Sequence, residues 1–498
     1  MPLFHHFPAV IIMLPMVAAV LTPLLRNNEK AVRTVANAVQ SILVVLSLWL
    51  VAALLGGPED YFNYSMGHFP SPFVNELRAG SLEAMLACAF STVMLFSLLG
   101  GAHDLVKDIK KGRSYLFYVM VNLLTCSLMA MVFTNDIFTA YVFIEINTIA
   151  ACVIVVAKEN EETLKATIKY LFLSVLGSGL FLLSTSILYD ITGHLLMEPA
   201  YGAIQSLVAE GRYQFPLLMT MLMYIVAVAV KSALFPFHVW LPDAHGSATT
   251  SSSAILSGLV IEGYIVLLIK LLYRVYGIET AGILGVLPIL FWLGIVGMIA
   301  GSVLAYLQTN IKRLIAYSSV AHVGYIFMGI GLNTPAGFTA ASYHIIAHAF
   351  TKSMLFIAAG ALINTVGTNV ISEMTGSARK NIVAGLAFIV GGLSMIGIPF
   401  FAGFVSKFYL ADAAMQGVYG TWIALIVLAL STFLNALYYI PVATRIYSGG
   451  GKLSKDVGTA VGFAVAPTLI CLMAANIALG VFYVPLLKAI EVGFSWLK

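Results

Sequence analysis

Long apolar runs separated by short polar breaks follow one another along the chain from Ile11 to Tyr483. Each run is long enough for the roughly 20 residues with which a helix crosses a bilayer. The pattern predicts an all-α integral membrane protein with about fourteen spans, near residues 4–25, 31–56, 79–103, 114–133, 137–157, 167–189, 216–238, 247–273, 282–306, 314–332, 336–364, 381–415, 420–446 and 460–486. They fill most of the chain, so we predict a single transmembrane domain over residues 1–498.

The order of the spans indicates an internal repeat. Three N-terminal spans over residues 4–103 precede a first set of five (114–273), a second set of five (282–446) and a last span (460–486). An odd number of spans in each set forces the two sets to cross the membrane in opposite directions. We therefore predict two inverted five-helix repeats with broken helices, as in many transporters.

Composition excludes a soluble protein. The 498 residues are 60% hydrophobic and only 10% charged, whereas soluble domains carry roughly 25% charged residues. The first apolar run has no basic segment before it and no small-residue cleavage site, so we expect a retained helix and not a signal peptide.

The basic residues concentrate in alternate loops. One set of loops holds Arg26, Lys30, Arg33, Lys107, Lys110, Lys111, Arg113, Lys158, Lys165, Lys169, Lys312, Arg313, Arg379, Lys380, Arg445, Lys452 and Lys455, and the opposite set with the tail holds Arg78, Arg212, Arg274, Lys488 and Lys498. The positive-inside rule then places the basic loops in the cytoplasm and both termini outside the cell membrane. Because the charge is spread over many short loops, it predicts no nucleic-acid partner.

Two charged residues interrupt apolar runs in the first set of five. Glu145 lies midway along AYVFIEINTIAACVIVVA, and Lys231 precedes Pro236 in VKSALFPF. A charge inside a membrane helix is costly and is a functional candidate by default. Proline disrupts the helix, and broken helices often build ion sites. We expect Glu145 and Lys231 to form a functional pair, with a purely structural ion pair as the alternative.

A stripe of titratable groups marks the second set. HIIAHAFTKSML places His344, His348 and Lys352 four residues apart, on one helix face. Histidine titrates near neutrality, so this stripe is typical of a proton path. Lys407 follows a second predicted break at Pro399, and His322 lies within another span. No carboxylate or cysteine accompanies the histidines at ligand spacing, so a metal site is disfavoured.

The cysteines indicate no redox centre in this chain. Cys88, Cys126, Cys152 and Cys471 are isolated within apolar sequence, and we expect buried, inert thiols. Iron–sulfur clusters and attached haem need clustered ligands. We therefore expect no cofactor and no catalytic site of its own.

Nearly the whole chain resembles the antiporter-like subunit family shared by complex I, membrane-bound hydrogenases and Mrp-type sodium/proton antiporters, whose D-type subunit it is most like. The most specific stretches are FIEINT, TIKYLFLSVLGSGLFLL, KSALFPFHVWLPDAHGSATTSSSAILSG, NIKRLIAYSSVAHVGYIFMG, HIIAHAFTKSMLFIAAGAL and GIPFFAGFVSKF. The resemblance implies that a fifth-helix glutamate, Glu145, pairs with Lys231 of a broken seventh helix. It also implies ion-translocating roles for His322, His344, His348 and Lys352, and for Lys407 in a broken twelfth helix.

One departure concerns the eighth helix. The family usually has a lysine there in a pattern like GLLxKxGxY, whereas this chain reads GLVIEGYIV, with Ile261 near that place and Glu262 beside it. Lys270 is a candidate substitute, and Glu262 could itself relay a proton or bind a cation. His238 and His245, in the motif after Lys231, complete the candidate set.

The resemblance implies a proton- or sodium/proton-translocating subunit of a multisubunit energy-converting complex. Expected partners are other membrane subunits, including homologues of this chain, membrane lipids and, in a redox-driven complex, iron–sulfur subunits. A redox-driven pump and an Mrp-type antiporter both stay open, as does the choice of ion, and a non-conducting scaffold is the alternative. A membrane glycosyltransferase is disfavoured because the short loops lack paired acids.

Overall fold

The computed structural model describes residues 2–57, 59–68, 75–417, 420–449 and 464–495. Its long helices are α1 (Phe7–Leu21), α2 (Glu29–Gly56), α3 (Ser81–Gly100), α4 (Ser114–Phe133), α5 (Ile137–Val156), α6 (Glu161–Thr192), α7 (Gln214–Lys231), α8 (Thr250–Tyr276), α9 (Val286–Tyr306), α10 (Ile311–Gly331), α11 (Pro335–Val366), α12 (Ile382–Ile396), α13 (Ala402–Gln416), α14 (Thr421–Tyr447), α15 (Val465–Val481) and α16 (Tyr483–Ser495). Shorter helical segments are Leu3–His6, Thr22–Leu25, Met66–His68, Ala102–Asp108, Met197–Ala209, Phe237–Trp240, Leu241–Ser247, Ile278–Ile283, Ile371–Glu373 and Ser377–Lys380.

These helices confirm the prediction of an all-α membrane protein. Within the described ranges, twelve helices are long and apolar enough to cross a membrane, and the pair α15 and α16, bent by 73°, makes a thirteenth if it is one span. The count of about fourteen and the inverted repeats stay predictions. The first residues of the predicted span 460–486, and the loop residues Lys452, Lys455 and Lys498, lie outside the described residues.

The predicted span 381–415 is two helices. Apolar helix α12 ends at Ile396, and α13 begins at Ala402. The break contains Pro399, and its backbone takes positive φ at Gly397 and Phe400. Proline lacks the backbone N–H that would continue the helix ladder. The last carbonyls of α12 are therefore left open to another donor.

Loops at one end of the helices meet through short β contacts. Strands β1 (Tyr61–Ser65) and β2 (Glu76–Gly80) form an antiparallel hairpin between α2 and α3. Leu77 of β2 bridges Thr134, and Asp136 bridges Leu196, so the α4–α5 and α6–α7 loops join the hairpin. This is the end that carries few basic residues.

Ion pairs tie the basic loops together at the other end. Glu159, before α6, pairs with Lys110 at 2.8 Å and with Arg113, both in the loop before α4. Hydrogen bonds from Lys110 and Arg113 hold the pKa of Glu159 below its usual range. Asp243 binds Lys169 at 2.7 Å and also Arg313. The loops that the charge pattern grouped together thus lie at the same end of the bundle.

Helices α8 and α11 form the centre of the molecule. The most apolar stretch of each is entirely buried by the other helices. Around them, α9 and α10 approach so closely that a Cβ at Gly294 would lie 2.3 Å from the backbone nitrogen of Met328. Every charged side chain on α8 or α11 therefore has protein, not lipid, around it.

The prediction of four buried thiols is wrong for one cysteine. Cys126 and Cys152 are buried and Cys88 is partly buried, whereas Cys471 is exposed. Cys471 follows Ile470, which is 52% exposed, on the outer face of α15. A thiol on that face is compatible with lipid, because cysteine behaves as a small apolar residue.

Candidate functional site

Lys231 is the last residue of α7 and is almost fully buried. Its Nζ donates a hydrogen bond to Thr148 Oγ1 on α5 at 2.8 Å. The chain then leaves the helix, and Pro236 lies in the break before the next helical turn. The indole Nε1 of Trp240 donates to the carbonyl of Val230 at 3.0 Å, which satisfies one carbonyl that the break leaves open.

Glu145 lies on the outer side of α5 and is half-buried. It shares its helix face with Val142 and Ile149, which are 39% and 57% exposed. No described ion pair or hydrogen bond joins Glu145 to Lys231, whose ammonium contacts Thr148 one turn further along α5. The two residues predicted to form a pair are therefore neighbours without a direct bond.

A small polar cluster surrounds the Lys231 ammonium. The ring centroid of Tyr264, on α8, lies 5.2 Å from Lys231 Nζ. Tyr264 donates to Asn147 Oδ1 at 2.9 Å, and Asn147 donates to Ser127 at 2.9 Å. The cluster connects α5 and α7 to the central helix α8.

Three histidines meet between α10 and α11. The ring centroid of His322 lies 5.2 Å from that of His344 and 5.8 Å from that of His348. His322 Nδ1 is 3.1 Å from His344 Nε2, and His344 Nδ1 is 2.8 Å from Ser406 Oγ on α13. All three imidazoles are buried. The predicted stripe is thus part of a compact histidine cluster.

Lys352 extends the stripe by one helical turn. Its Nζ donates to Ser318 Oγ and, at 3.1 Å, to the carbonyl of Ile315, both on α10. Ser318 Oγ also lies 2.8 Å from the Tyr439 hydroxyl on α14. Lys352 is fully buried, and its hydrogen bonds go to uncharged oxygens.

Lys407 lies on α13, across the break from α12. Its Nζ donates to the carbonyls of Met395 and Ile396 at 2.8 and 2.9 Å, the last two residues of α12. A helix C-terminus carries partial negative charge and therefore stabilises an ammonium group. The Tyr325 ring lies 4.9 Å from this Nζ and stacks on His322 at 5.1 Å, so it links Lys407 to the histidine cluster.

Glu262 points from α8 towards the same cluster. Its Oε1 is 2.6 Å from His348 Nδ1, and both side chains have no solvent exposure. The two atoms are close, but their alignment is not that of a regular hydrogen bond, and neither carboxylate oxygen has another partner among the described residues. The eighth helix thus supplies a carboxylate where related sequences are expected to have a lysine.

Lys270 lies apart from this line of groups. Its Nζ donates to the carbonyls of Met131, Val132 and Thr134, where α4 ends. That environment is a helix C-cap, so the structure does not place Lys270 where it could substitute for a central lysine. One turn further along α8, Arg274 pairs with Glu83 at 2.5 Å.

The remaining histidine candidates lie near the break after α7. His238 stacks on Phe235 with ring centroids 5.1 Å apart. His245 is buried and stacks on Phe356 at 4.7 Å. Neither ring nitrogen of His245 has a hydrogen-bond partner in the described part of the chain.

The sequence pattern did not reveal the uncharged members of the site. Thr148, Ser318 and Ser406 contact Lys231, Lys352 and His344, respectively. The available signal was a single hydroxyl residue inside an apolar run, near a charge in sequence or in the fold. That signal is weak, because serine and threonine often bond to their own helix backbone.

The arrangement holds protons well. Lysine and histidine side chains bind and release protons, and neutral oxygens around a lysine leave no buried carboxylate behind when it loses its charge. In the described ranges, no group of three or more His, Cys, Asp and Glu side chains is arranged to hold a metal ion.

Comparison with known proteins identifies the family. Residues 134–434 match the family described as NADH:quinone oxidoreductase/Mrp antiporter, TM. NADH-quinone oxidoreductase subunit N of Desulforudis audaxviator (strain MP104C) is 30% identical over 449 residues, which cover 89% of this chain and 87% of that protein. The D subunit of the Na(+)/H(+) antiporter of Bacillus subtilis (strain 168) is 24% identical, over 96% of this chain and 95% of that protein.

Two solved structures share the fold. A chain of the membrane-bound sulfane sulfur reductase, an archaeal respiratory membrane complex, has a TM-score of 0.88 at 24% identity, covering 98% of this chain and 97% of that one. A chain of the Mrp complex from Dietzia sp. DQ12-45-1b also has a TM-score of 0.88, at 20% identity, covering 100% and 98%. With matches over more than half its length and a relative at 30% identity, the chain belongs to the NADH:quinone oxidoreductase/Mrp antiporter transmembrane family.

Proposed function

We propose that this chain is a proton-translocating, antiporter-like subunit of a multisubunit energy-converting membrane complex. The observation that carries the proposal is a line of buried titratable groups through the bundle. It begins at Lys231, continues through the histidine cluster and Lys352, and ends at Lys407. Buried charges are costly in a membrane protein and are retained where they move or bind ions.

The surroundings of the three lysines favour protons as the cargo. Among the described residues, no ion pair includes Lys231, Lys352 or Lys407, and each ammonium donates to hydroxyl or carbonyl oxygens. Each lysine can therefore exchange a proton without breaking a salt bridge. A protonated lysine also repels a metal cation, so we assign protons to this line.

The histidine cluster supplies the steps between lysines. Ring centroids 5.2–6.1 Å apart allow transfer by direct contact or through one water molecule. Each imidazole accepts a proton on one nitrogen and releases one from the other. Water would complete the line between the cluster and the lysines.

Glu145 supports a partner subunit on the outer side of α5. It is half-buried, and its helix face is otherwise apolar and exposed. A carboxylate facing lipid would be costly, so we propose that another membrane subunit, a homologue of this chain included, covers it. Opening or closing an ion pair between Glu145 and Lys231 as that subunit changes state would then drive the proton on Lys231 towards α8.

The charge distribution supports an orientation. The basic loops lie at one end of the bundle, tied by the ion pairs of Glu159 and Asp243. We propose that this end faces the cytoplasm and that both termini lie outside the cell membrane. If electron transfer drives the complex, iron–sulfur subunits would lie on other chains.

The test is proton flux into membrane vesicles that contain the complete native complex. Lys231→Ala and Lys407→Ala are compared with wild type at matched assembly. Lys165→Ala is the control, because Lys165 is an exposed residue that pairs with Glu161 on the surface of α6. We expect both buried-lysine variants to lose flux and the control to keep it.

The outcomes separate the alternatives. Wild-type flux in both buried-lysine variants would overturn the proposal and favour a non-conducting scaffold. Flux that depends on a sodium gradient would assign antiport, whereas flux that depends on electron transfer would assign a redox-driven pump.

A further inference from the structure

Helix α8 separates the Lys231 cluster from the histidine cluster, and it has no lysine between them. Tyr264 and Glu262 are two residues apart, so their side chains point about 200° apart around the helix axis. Tyr264 faces Lys231 with 5.2 Å between Nζ and the ring centroid, and Glu262 faces His348. The helix therefore presents a different polar group to each side.

Local backbone structure brings Glu262 to His348. Residues Leu256–Val260 form a π-helical turn, and Glu262 comes two residues later. Such a turn holds one extra residue and rotates the next part of the helix, and it is frequent at functional sites. In the same turn, a Cβ at Gly258 would lie 2.9 Å from the carbonyl of Ala349, next to His348, so only glycine permits this approach.

Glu262 and His348 have few other partners. Both are fully buried, with 2.6 Å between Oε1 and Nδ1. Neither carboxylate oxygen and neither imidazole nitrogen has a regular hydrogen bond within the described ranges. A buried ionised carboxylate without donors would be very costly, so the two groups must share a proton.

We propose that Glu262 and His348 together form one proton-binding site that replaces the lysine absent from α8. The pair with one proton is neutral overall, as carboxylic acid with imidazole or as carboxylate with imidazolium. With two protons it carries one positive charge. These are the charge states of a neutral and a protonated lysine, so the pair serves the same electrostatic purpose although its residues differ.

The transfer step balances in protons. A proton arriving from the Lys231 side forms an O–H bond at Glu262 while His348 holds its own proton. The N–H bond at His348 then breaks, and that proton passes to His344 or His322, whose rings lie 6.1 and 5.8 Å away. The proton on Glu262 moves to His348, and the pair returns to its neutral state.

The experiment uses the complete native complex and rests on the proposed function for its flux arm. Glu262→Gln keeps the shape of the side chain and removes its proton-binding site. Ser257→Ala is the matched control, a buried change on the same helix that removes a hydrogen bond to Ser319. We expect flux to fall at least about tenfold in Glu262→Gln, as when a general acid is lost, and to stay unchanged in Ser257→Ala.

A second readout does not depend on flux. Infrared difference spectra between acidic and alkaline buffer should show a carboxylic-acid carbonyl band in the wild-type complex. The band should be absent from Glu262→Gln and displaced in His348→Gln. A purely structural role would lower assembly without producing such a band, and His348→Gln keeps the test open if Glu262→Gln does not assemble.

Two results would overturn the inference. One is wild-type flux in assembled Glu262→Gln while Lys231→Ala has lost flux. The other is a carbonyl band that is the same in wild type and Glu262→Gln, or no such band in wild type. If Lys231→Ala also keeps wild-type flux, the proposed function fails, and the infrared band alone then decides whether the pair binds a proton.

Discussion

At the residue scale, the buried lysines share one kind of environment. Lys231 donates to a threonine hydroxyl, Lys352 to a serine hydroxyl and a carbonyl, and Lys407 to two carbonyls. Hydroxyl and carbonyl oxygens stabilise an ammonium group without fixing its charge. A carboxylate partner would hold the lysine protonated, because removing one member of a buried ion pair is strongly unfavourable.

Replacing Thr148 with valine tests this environment. Valine keeps the shape but removes the acceptor of Lys231, and leaving a buried charged donor without a partner costs about 1–3 kcal/mol. We expect proton flux in the native complex to fall. Thr185→Val is the matched control, since Thr185 is also buried but bonds to Tyr224, outside the line of groups. Equal flux in the two variants would contradict a role for Thr148.

The sequence predicted the charged residues of the site better than the uncharged ones. A lysine or glutamate in an apolar run is conspicuous because it is costly there, so Lys231, Lys352 and Lys407 could be found without a fold. Thr148 could not, because its hydroxyl also donates to the Ile144 carbonyl of its own helix. Which residues contact each other across helices depends on packing that the sequence pattern does not contain.

At the element scale, helix ends and irregular turns position the groups. Helix α7 ends at Lys231, five residues before the proline from which the break was predicted, because the backbone beyond Lys231 is held by Trp240. Hydrophobic length predicted where most helices lie. It could not predict the π-helical turn of α8, which depends on close contact with α11 at Gly258.

The contact between α9 and α10 gives a prediction at this scale. A Cβ at Gly294 would meet backbone of α10 at 2.3 Å, whereas a Cβ at Gly297 on the same helix would meet its nearest atom at 3.5 Å. Overpacking of this kind costs about 1–3 kcal/mol or more. We expect Gly294→Ala to lower the melting temperature of the detergent-solubilised complex and to reduce assembly.

Gly297→Ala is the control for that experiment. Its added methyl group makes ordinary van der Waals contacts, so stability should stay near wild type. The same melting curve for both variants would show that α9 and α10 can separate without cost, contrary to the close approach of the two backbones at Gly294.

At the scale of the whole molecule, charged contacts of different depth tie the two ends of the bundle. Exposed pairs at the basic end, such as Lys165 with Glu161, contribute little to stability because water screens them. The pair of Glu83 on α3 and Arg274 on α8 is different, because both side chains are only 4% exposed. The basic loops predicted from sequence do meet at one end, but the side of the membrane they face stays a prediction.

The last prediction compares these two depths. Glu83→Gln leaves the Arg274 guanidinium buried without its carboxylate, which typically costs about 3–5 kcal/mol. Lys270, one turn away on the same helix, increases the positive charge left behind. Glu210→Gln, which removes the exposed partner of Arg212, should leave stability unchanged. The measurement is the fraction of complex that stays monodisperse after heating. A Glu83→Gln complex as stable as Glu210→Gln would show that the buried pair does not hold α3 against α8, and that hydrophobic packing alone fixes the central helix in which Glu262 lies.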